Sequence, residues 1–180
     1  AKYTLLDQNT FWLCEKPDSV GMVGWDAALT RIATWVKLQD KKTGQILMVV
    51  NTHFDHIGTE ARRNSALLII EKIKEIVGTS PAILTGDFNV SEDWDAYKTI
   101  TNNEFILKDA HKVAGKRTGV DFTYHNFGKI PAEKCEKIDF IFVTPQIRVI
   151  SSYIPFSQLN DTLFLSDHNP EIVELEIEKS

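Results

Sequence analysis

Cysteine is scarce: Cys14 and Cys135 are the only two, far apart and in no CxxC pair. That spacing excludes a disulfide scaffold and a cysteine-rich zinc site, and both residues are read as free thiols. Long apolar runs are missing as well. None approaches the roughly 20 residues a helix needs to cross a bilayer, so no integral membrane segment is expected. The start, Ala1-Lys2-Tyr3-Thr4-Leu5, lacks a basic stretch followed by an apolar one and a cleavage site, so no secretory signal is legible there. Nor is there an excess of positive charge: 20 Lys and Arg stand against 25 Asp and Glu, a net charge of −5. A general nucleic-acid coat protein needs a cationic surface that releases counterions, and this composition argues against that class. Local basic groups, Arg62, Arg63, Lys116 and Arg117, still leave room for an enzyme that holds a phosphate backbone. The 180 residues, 43% of them hydrophobic, suit one globular domain without linkers or repeats.

What is present is a recurrence. Three short polar clusters each end an apolar run: Asn51-Thr52-His53, Gly86-Asp87-Phe88-Asn89 and Ser166-Asp167-His168. The runs before the first two, Ile46 to Val50 and Ala82 to Leu84, read as buried strands. A strand that stops in His, Asp or Asn delivers those groups to one rim of a sheet, where α/β proteins build their sites.

Around these lies a strand–helix–strand unit from Gln45 to Phe88. Its helix is marked by Ala66, Leu67, Ile70, Ile73 and Val77 at three- and four-residue steps, and Gly78 and Pro81 close it. Tyr3–Asp7 and Phe11–Cys14 read as a short strand pair turned by Asp7-Gln8-Asn9. Arg31–Gln39 reads as a strand, and Asp40 to Gly44 as the hairpin turn that follows it. A second helix is expected from about Glu92 to Thr101. Residues 102–137 read as irregular, with one strand at Phe122-Thr123-Tyr124. Ile138–Val143, Val149–Pro155 and the alternating Val173, Leu175 and Ile177 complete the strands.

The polar set fits one chemistry. Hydrolysis of a phosphoester needs charge neutralised on the phosphoryl oxygens, a water aimed in line and a stabilised leaving oxygen. A divalent cation on carboxylates serves the first and last. A carboxylate or imidazole serves the second, typically worth about 10²–10⁴-fold. Asp87 and Asn89, two apart on a strand end, are expected to share a face, the first orienting water and the second donating to a phosphoryl oxygen. Asp139 is placed to fix the tautomer of His168, and His53 to stabilise developing negative charge. Arg31, Tyr124 and His125 are candidate substrate contacts. His53 and His56 do not make a zinc pair, because no helix carries them and no Cys or Glu completes the set. A non-catalytic module on the same scaffold is the alternative reading.

Asn-Thr-His, Gly-Asp-Phe-Asn, Ile-Asp-Phe-Ile-Phe and Ser-Asp-His-Asn-Pro, in this order, resemble the endonuclease/exonuclease/phosphatase superfamily of DNase I-like proteins. The run from Gly24-Trp25-Asp26 to Trp35 resembles a bacterial branch of it. The resemblance implies an α/β fold: a four-layered sandwich of two packed mixed sheets with helices outside. It also implies Mg²⁺ or Mn²⁺ as cofactor. His53, Asp87, Asn89, Asp139 and His168 become the catalytic residues, and Asp167 a contributor to the metal site. The implied substrate is a phosphoester: nucleic acid, a phosphorylated small molecule or a phospholipid head group. No obligate protein partner is implied.

One departure stands out. The family's first strand with its Asn, and its Gln-Glu motif with the principal metal-ligand Glu, have no match upstream of Phe11. Roughly the first third of a family domain is therefore expected to be missing, judged against common domain sizes. The 180 residues then form the C-terminal two thirds of a single domain, expected to bind metal weakly and show little activity alone. The compartment is left open, a secreted or periplasmic location being compatible with such a start.

Overall fold

The computed structural model describes residues 1–102, 105, 107–160 and 163–177. Strands β1 (Tyr3–Trp12), β2 (Ile32–Asp40) and β3 (Ile46–His53) form an antiparallel meander. Helix α1 (Thr59–Val77) then crosses over to β4 (Ala82–Asp87), which lies parallel to β3. After α2 (Asp95–Thr101), the short β5 (Lys108–Asp109) and α3 (Ala110–Val113) lead to β6 (Lys116–Gly119). Strands β7 (Asp139–Val143), β8 (Ile147–Ile154), β9 (Gln158–Asn160), β10 (Leu163–Phe164) and β11 (Ile172–Ile177) follow. The sheets are six-stranded, β1-β2-β3-β4-β7-β5, three-stranded, β11-β8-β6, and a two-stranded β9–β10 hairpin. Both larger sheets are mixed.

Two apolar layers hold this together. On one face of the six-stranded sheet, Met48, Val50, Leu84, Phe88, Phe140 and Phe142 pack under Ala66, Ile69, Ile70 and Ile73 of α1 and Tyr97 and Ile100 of α2. On the other face, Val49, Ile83 and Ile141 meet Ile147 and Val149 of β8 and Val173, Leu175 and Ile177 of β11. Helices, large sheet and small sheet are thus layers of the expected α/β sandwich. α1 carries no cap of its own at Gly58; the Asp26 carboxylate accepts from the backbone N–H groups of Glu60 (3.2 Å) and Ala61 (2.7 Å) instead.

Four local expectations change, the first being that the stretch read as irregular carries β5, α3 and β6, with β6 held in register by β8. β1 is one long strand with a bulge between Leu5 and Asp7, not two strands and a turn. The turn-forming Asp7 and Asn9 bind the next residue's N–H within the strand, while pairing to β2 fixes the backbone. α2 starts at Asp95, not near Glu92, with Trp94 as its N-cap residue. Phe122–Tyr124 is not a strand; Tyr124 makes only isolated bridges, to Glu136 and to His168. Both cysteines are free, as expected.

β3 and β4 leave no room for a side chain where the first two motifs meet, at Thr52 and Gly86. A Cβ added at Gly86 would stand 2.1 Å from the backbone oxygen of Thr52. Gly86→Ala is therefore expected to cost about 1–3 kcal/mol by forcing the strands apart, read by urea denaturation. An unchanged midpoint would show that the gap can widen freely.

Candidate active site

Strand register builds the site. His53 pairs with Asp87 across β3 and β4, and Asp87 pairs with Asp139 across β4 and β7. Paired residues share a face, so the three side chains form one row across three neighbouring strands. His168 reaches this row from the loop before β11, held by its bridge to Tyr124.

The contacts converge on Asp87. Its Oδ1 accepts the backbone N–H of Asn89 at 2.8 Å. Its Oδ2 lies 3.3 Å from His53 Nε2 and 4.0 Å from His168 Nε2. One oxygen is fixed by the backbone and the other is presented between two imidazoles. His168 Nδ1 sits 2.7 Å from Asp139 Oδ2; with the carboxylate as acceptor, Nδ1 carries the proton and Nε2 faces Asp87. The ring of Tyr124 lies 5.0 Å from that of His168, covering one side.

The environment separates the titrations. The hydrogen bond to Asp139 raises the His168 pKa, outweighing partial burial. Desolvation lowers that of His53, with the Arg31 charge adding to the effect against the pull of Asp87. Desolvation raises that of Asp87, reinforced by Asp139. Two imidazoles with opposed shifts around one carboxylate are suited to holding and moving a proton.

The remaining predicted residues are placed less uniformly. Asn89 leaves the strand with a φ of 50° and donates its amide to the Phe54 carbonyl at 2.9 Å. This departs from the expectation of a shared strand face: the left-handed turn swings the side chain toward the β3 exit. Asp167 lies beside the cluster; its carbonyl accepts from the N–H groups of His125 and Asn126, and Ser166 Oγ lies 3.3 Å from its carboxylate. Arg31 lines a groove of about 290 Å³ with Thr30, Thr34, Asn51 and His53. Its guanidinium meets His56 Nδ1 at 3.3 Å, while Nε is buried without a hydrogen bond.

His125 does not meet the expectation of a substrate contact. It is 1% exposed, accepts the Gly128 N–H on Nδ1 and packs against Phe122, Phe156 and Phe164. Reading the sequence missed Lys137 and Glu171, whose buried side chains pair at 2.8 Å while Lys137 also donates to the Asp139 carbonyl. A lysine just ahead of an apolar strand was the one signal for them, and nothing in the spacing identified its partner.

Asp87, Asp139 and His168 offer ligand atoms that all lie within 4.8 Å of one another. Two carboxylates in that set supply the hard oxygen donors a small divalent cation prefers. The donor set fits such an ion.

Comparison with known proteins agrees with this geometry. The chain matches the model of the endonuclease/exonuclease/phosphatase family over residues 7–168. The crystal structure of an endonuclease/exonuclease/phosphatase from Bacteroides vulgatus is 65% identical, with a TM-score of 0.94, covering 98% of this chain and 67% of that one. A mannosyl-6-phosphatase of Bacteroides thetaiotaomicron is 35% identical, with a TM-score of 0.88 over 98% of this chain and 68% of its own. An uncharacterised protein of Acanthamoeba polyphaga mimivirus is 30% identical over 175 residues, 92% of this chain but only 63% of its own length. The fold is that of the DNase I-like proteins. Members of the family are hydrolases acting on phosphoester bonds and generally depend on a divalent metal. On its motifs, its register and these matches, the chain belongs to the endonuclease/exonuclease/phosphatase family.

Proposed function

We propose that this chain carries the reaction centre of a divalent-metal-assisted phosphatase that acts on a small phosphorylated molecule, a sugar phosphate foremost. The observation that carries the reading is the convergence of His53 and His168 on a single oxygen of Asp87. Asp87 orients the attacking water and takes up its proton. Asp139 holds His168 in the tautomer that turns Nε2 toward the reacting group. His53, more than half exposed at the groove, meets the phosphoryl oxygens. Asp87 and Asp139, which with His168 offer ligand atoms within 4.8 Å of one another, would hold the cation with Asp167 beside them, and the ion would neutralise phosphoryl charge and stabilise the leaving oxygen.

Three observations favour a small substrate over the other phosphoesters. The 35% identical relative is a mannosyl-6-phosphatase. Arg62, a candidate for a nucleic-acid backbone, is buried, donating to the Asp55 carbonyl at 3.0 Å and stacking over Trp94. The segment Tyr153-Ile154-Pro155-Phe156 is half strand rather than a free apolar loop: Tyr153 and Ile154 end β8, although Tyr153 and Phe156 each stay 44% exposed. Ile154 is fully buried and Phe156 packs against Phe122, His125 and Phe164. No helix among the described residues is long and apolar enough to cross a membrane.

Hydrolysis should be measured on the whole protein as phosphate release from hexose 6-phosphates, fragment formation from oligonucleotides and phosphocholine release from sphingomyelin. Turnover of a sugar phosphate, abolished by EDTA and restored by Mg²⁺ or Mn²⁺, is expected. Faster cleavage of oligonucleotides, or undiminished turnover in EDTA, would overturn the reading.

A further inference from the structure

Two cross-links join the same pair of chain segments. One is the Asp139–His168 contact. The other is the ion pair between Lys137 Nζ and Glu171 Oε2 at 2.8 Å, with the two side chains 6% and 2% exposed. Lys137 enters β7 just ahead of Asp139, and Glu171 follows shortly after His168 on the way into β11. The ion pair therefore lies next to the dyad on both segments.

The lysine holds the catalytic segment directly. Its Nζ donates to the backbone carbonyl of Asp139 at 2.8 Å and lies 3.8 Å from the centroid of the Phe140 ring. The glutamate is anchored on the other sheet. Ser152 Oγ of β8 lies 3.4 Å from its Oε1, and His111 Nδ1 of α3 lies 2.8 Å from that hydroxyl. The backbone of Asp139 is thus tied through Lys137 and Glu171 to the sheet that delivers His168.

Stability is a poor explanation for such a pair. Taking two charges out of water costs free energy, and well-packed apolar replacements are often neutral or stabilising. What an ion pair adds over apolar packing is direction and distance. A reacting constellation needs that, because a misplacement of about 1 Å can lower turnover by about 10²-fold.

We propose that the Lys137–Glu171 ion pair is a clamp that positions the Asp139–His168 dyad, making both residues positioning residues for the reaction. The proposal rests on the reading of that dyad as part of the phosphatase centre.

Two variants of the whole protein test it: Glu171→Gln, which keeps the shape, and the double change Lys137→Met with Glu171→Leu, which replaces the pair by apolar volume. In both, kcat should fall about tenfold or more, while KM stays within about twofold. The double variant should melt close to the wild type. The hydrogen-bonded Nδ1–H of His168, followed by proton NMR and assigned by its absence in His168→Ala, should weaken or vanish in both. A folded double variant with wild-type kcat and an unchanged Nδ1–H resonance would overturn the clamp. So would a variant whose only change is a lower melting temperature. If the wild type releases phosphate from nothing tested, the proposed activity fails, and the resonance alone still decides whether the clamp exists.

Discussion

Replacing His168 with alanine is expected to lower turnover by about 10²–10⁴-fold, the usual span for removing a positioned proton-transfer group. The side chain is a quarter exposed and is absent from both apolar clusters, so the fold should survive. What disappears is the imidazole whose one nitrogen is fixed by Asp139 while the other faces Asp87. Asp87→Asn should act through the same pocket with the volume kept. The amide can still accept from the Asn89 N–H, but it can no longer take a proton from water. Circular dichroism and melting should be near wild type for both. A His168→Ala enzyme with most of its turnover would remove that residue from the chemistry. An Asp87→Asn protein unfolded at room temperature would make that carboxylate structural.

The largest effect on stability is expected at Asp55. Its carboxylate is almost fully buried and accepts four backbone N–H groups, from Ala28, Leu29, Ile57 and Gly58, at 2.8–3.1 Å. Arg31 Nε lies 3.6 Å away. The residue thereby ties the segment carrying Arg31 to the loop that leaves His53. Burial alone would raise its pKa, yet the four backbone donors outweigh burial and hold it well below the ordinary 3.8.

Asp55→Asn turns a donor group toward backbone donors and is expected to cost about 2–4 kcal/mol at neutral pH. The pH dependence has a definite sign. A carboxylate with a depressed folded pKa contributes stability that is complete above its unfolded value and is lost as pH falls toward the folded one. The gap between wild type and Asp55→Asn in urea denaturation should therefore be constant from pH 5 to 7 and narrow below about pH 4. A gap that widens on acidification would contradict the burial of an ionised group here.

Local periodicity made much of this fold legible. The helical spacing of Ala66, Ile70, Ile73 and Val77 marked α1, and apolar runs ending in His53 and Asp87 marked the two parallel strands around it. The heart of the site was legible because His53 and Asp87 end neighbouring parallel strands, and strand ends in adjacent register must meet. Long-range pairing was not legible. Asp7 and Asn9 have turn chemistry, yet β2 pulls them into one strand. His125 looked polar and available, but the folding of Phe156 and Phe164 over it closes it from solvent. The Lys137–Glu171 pair joins the segments that lead into β7 and β11, and no sequence spacing encodes that distance.

A double-mutant cycle on turnover, built from Asp87→Asn and His168→Ala in the whole protein with Mg²⁺ present, is the most direct test of a shared centre. If the two side chains work as one unit around a single metal-assisted phosphoryl group, the double variant turns over no more slowly than the slower single one. Losses that multiply would mean that the two residues act independently, and the common centre would be gone.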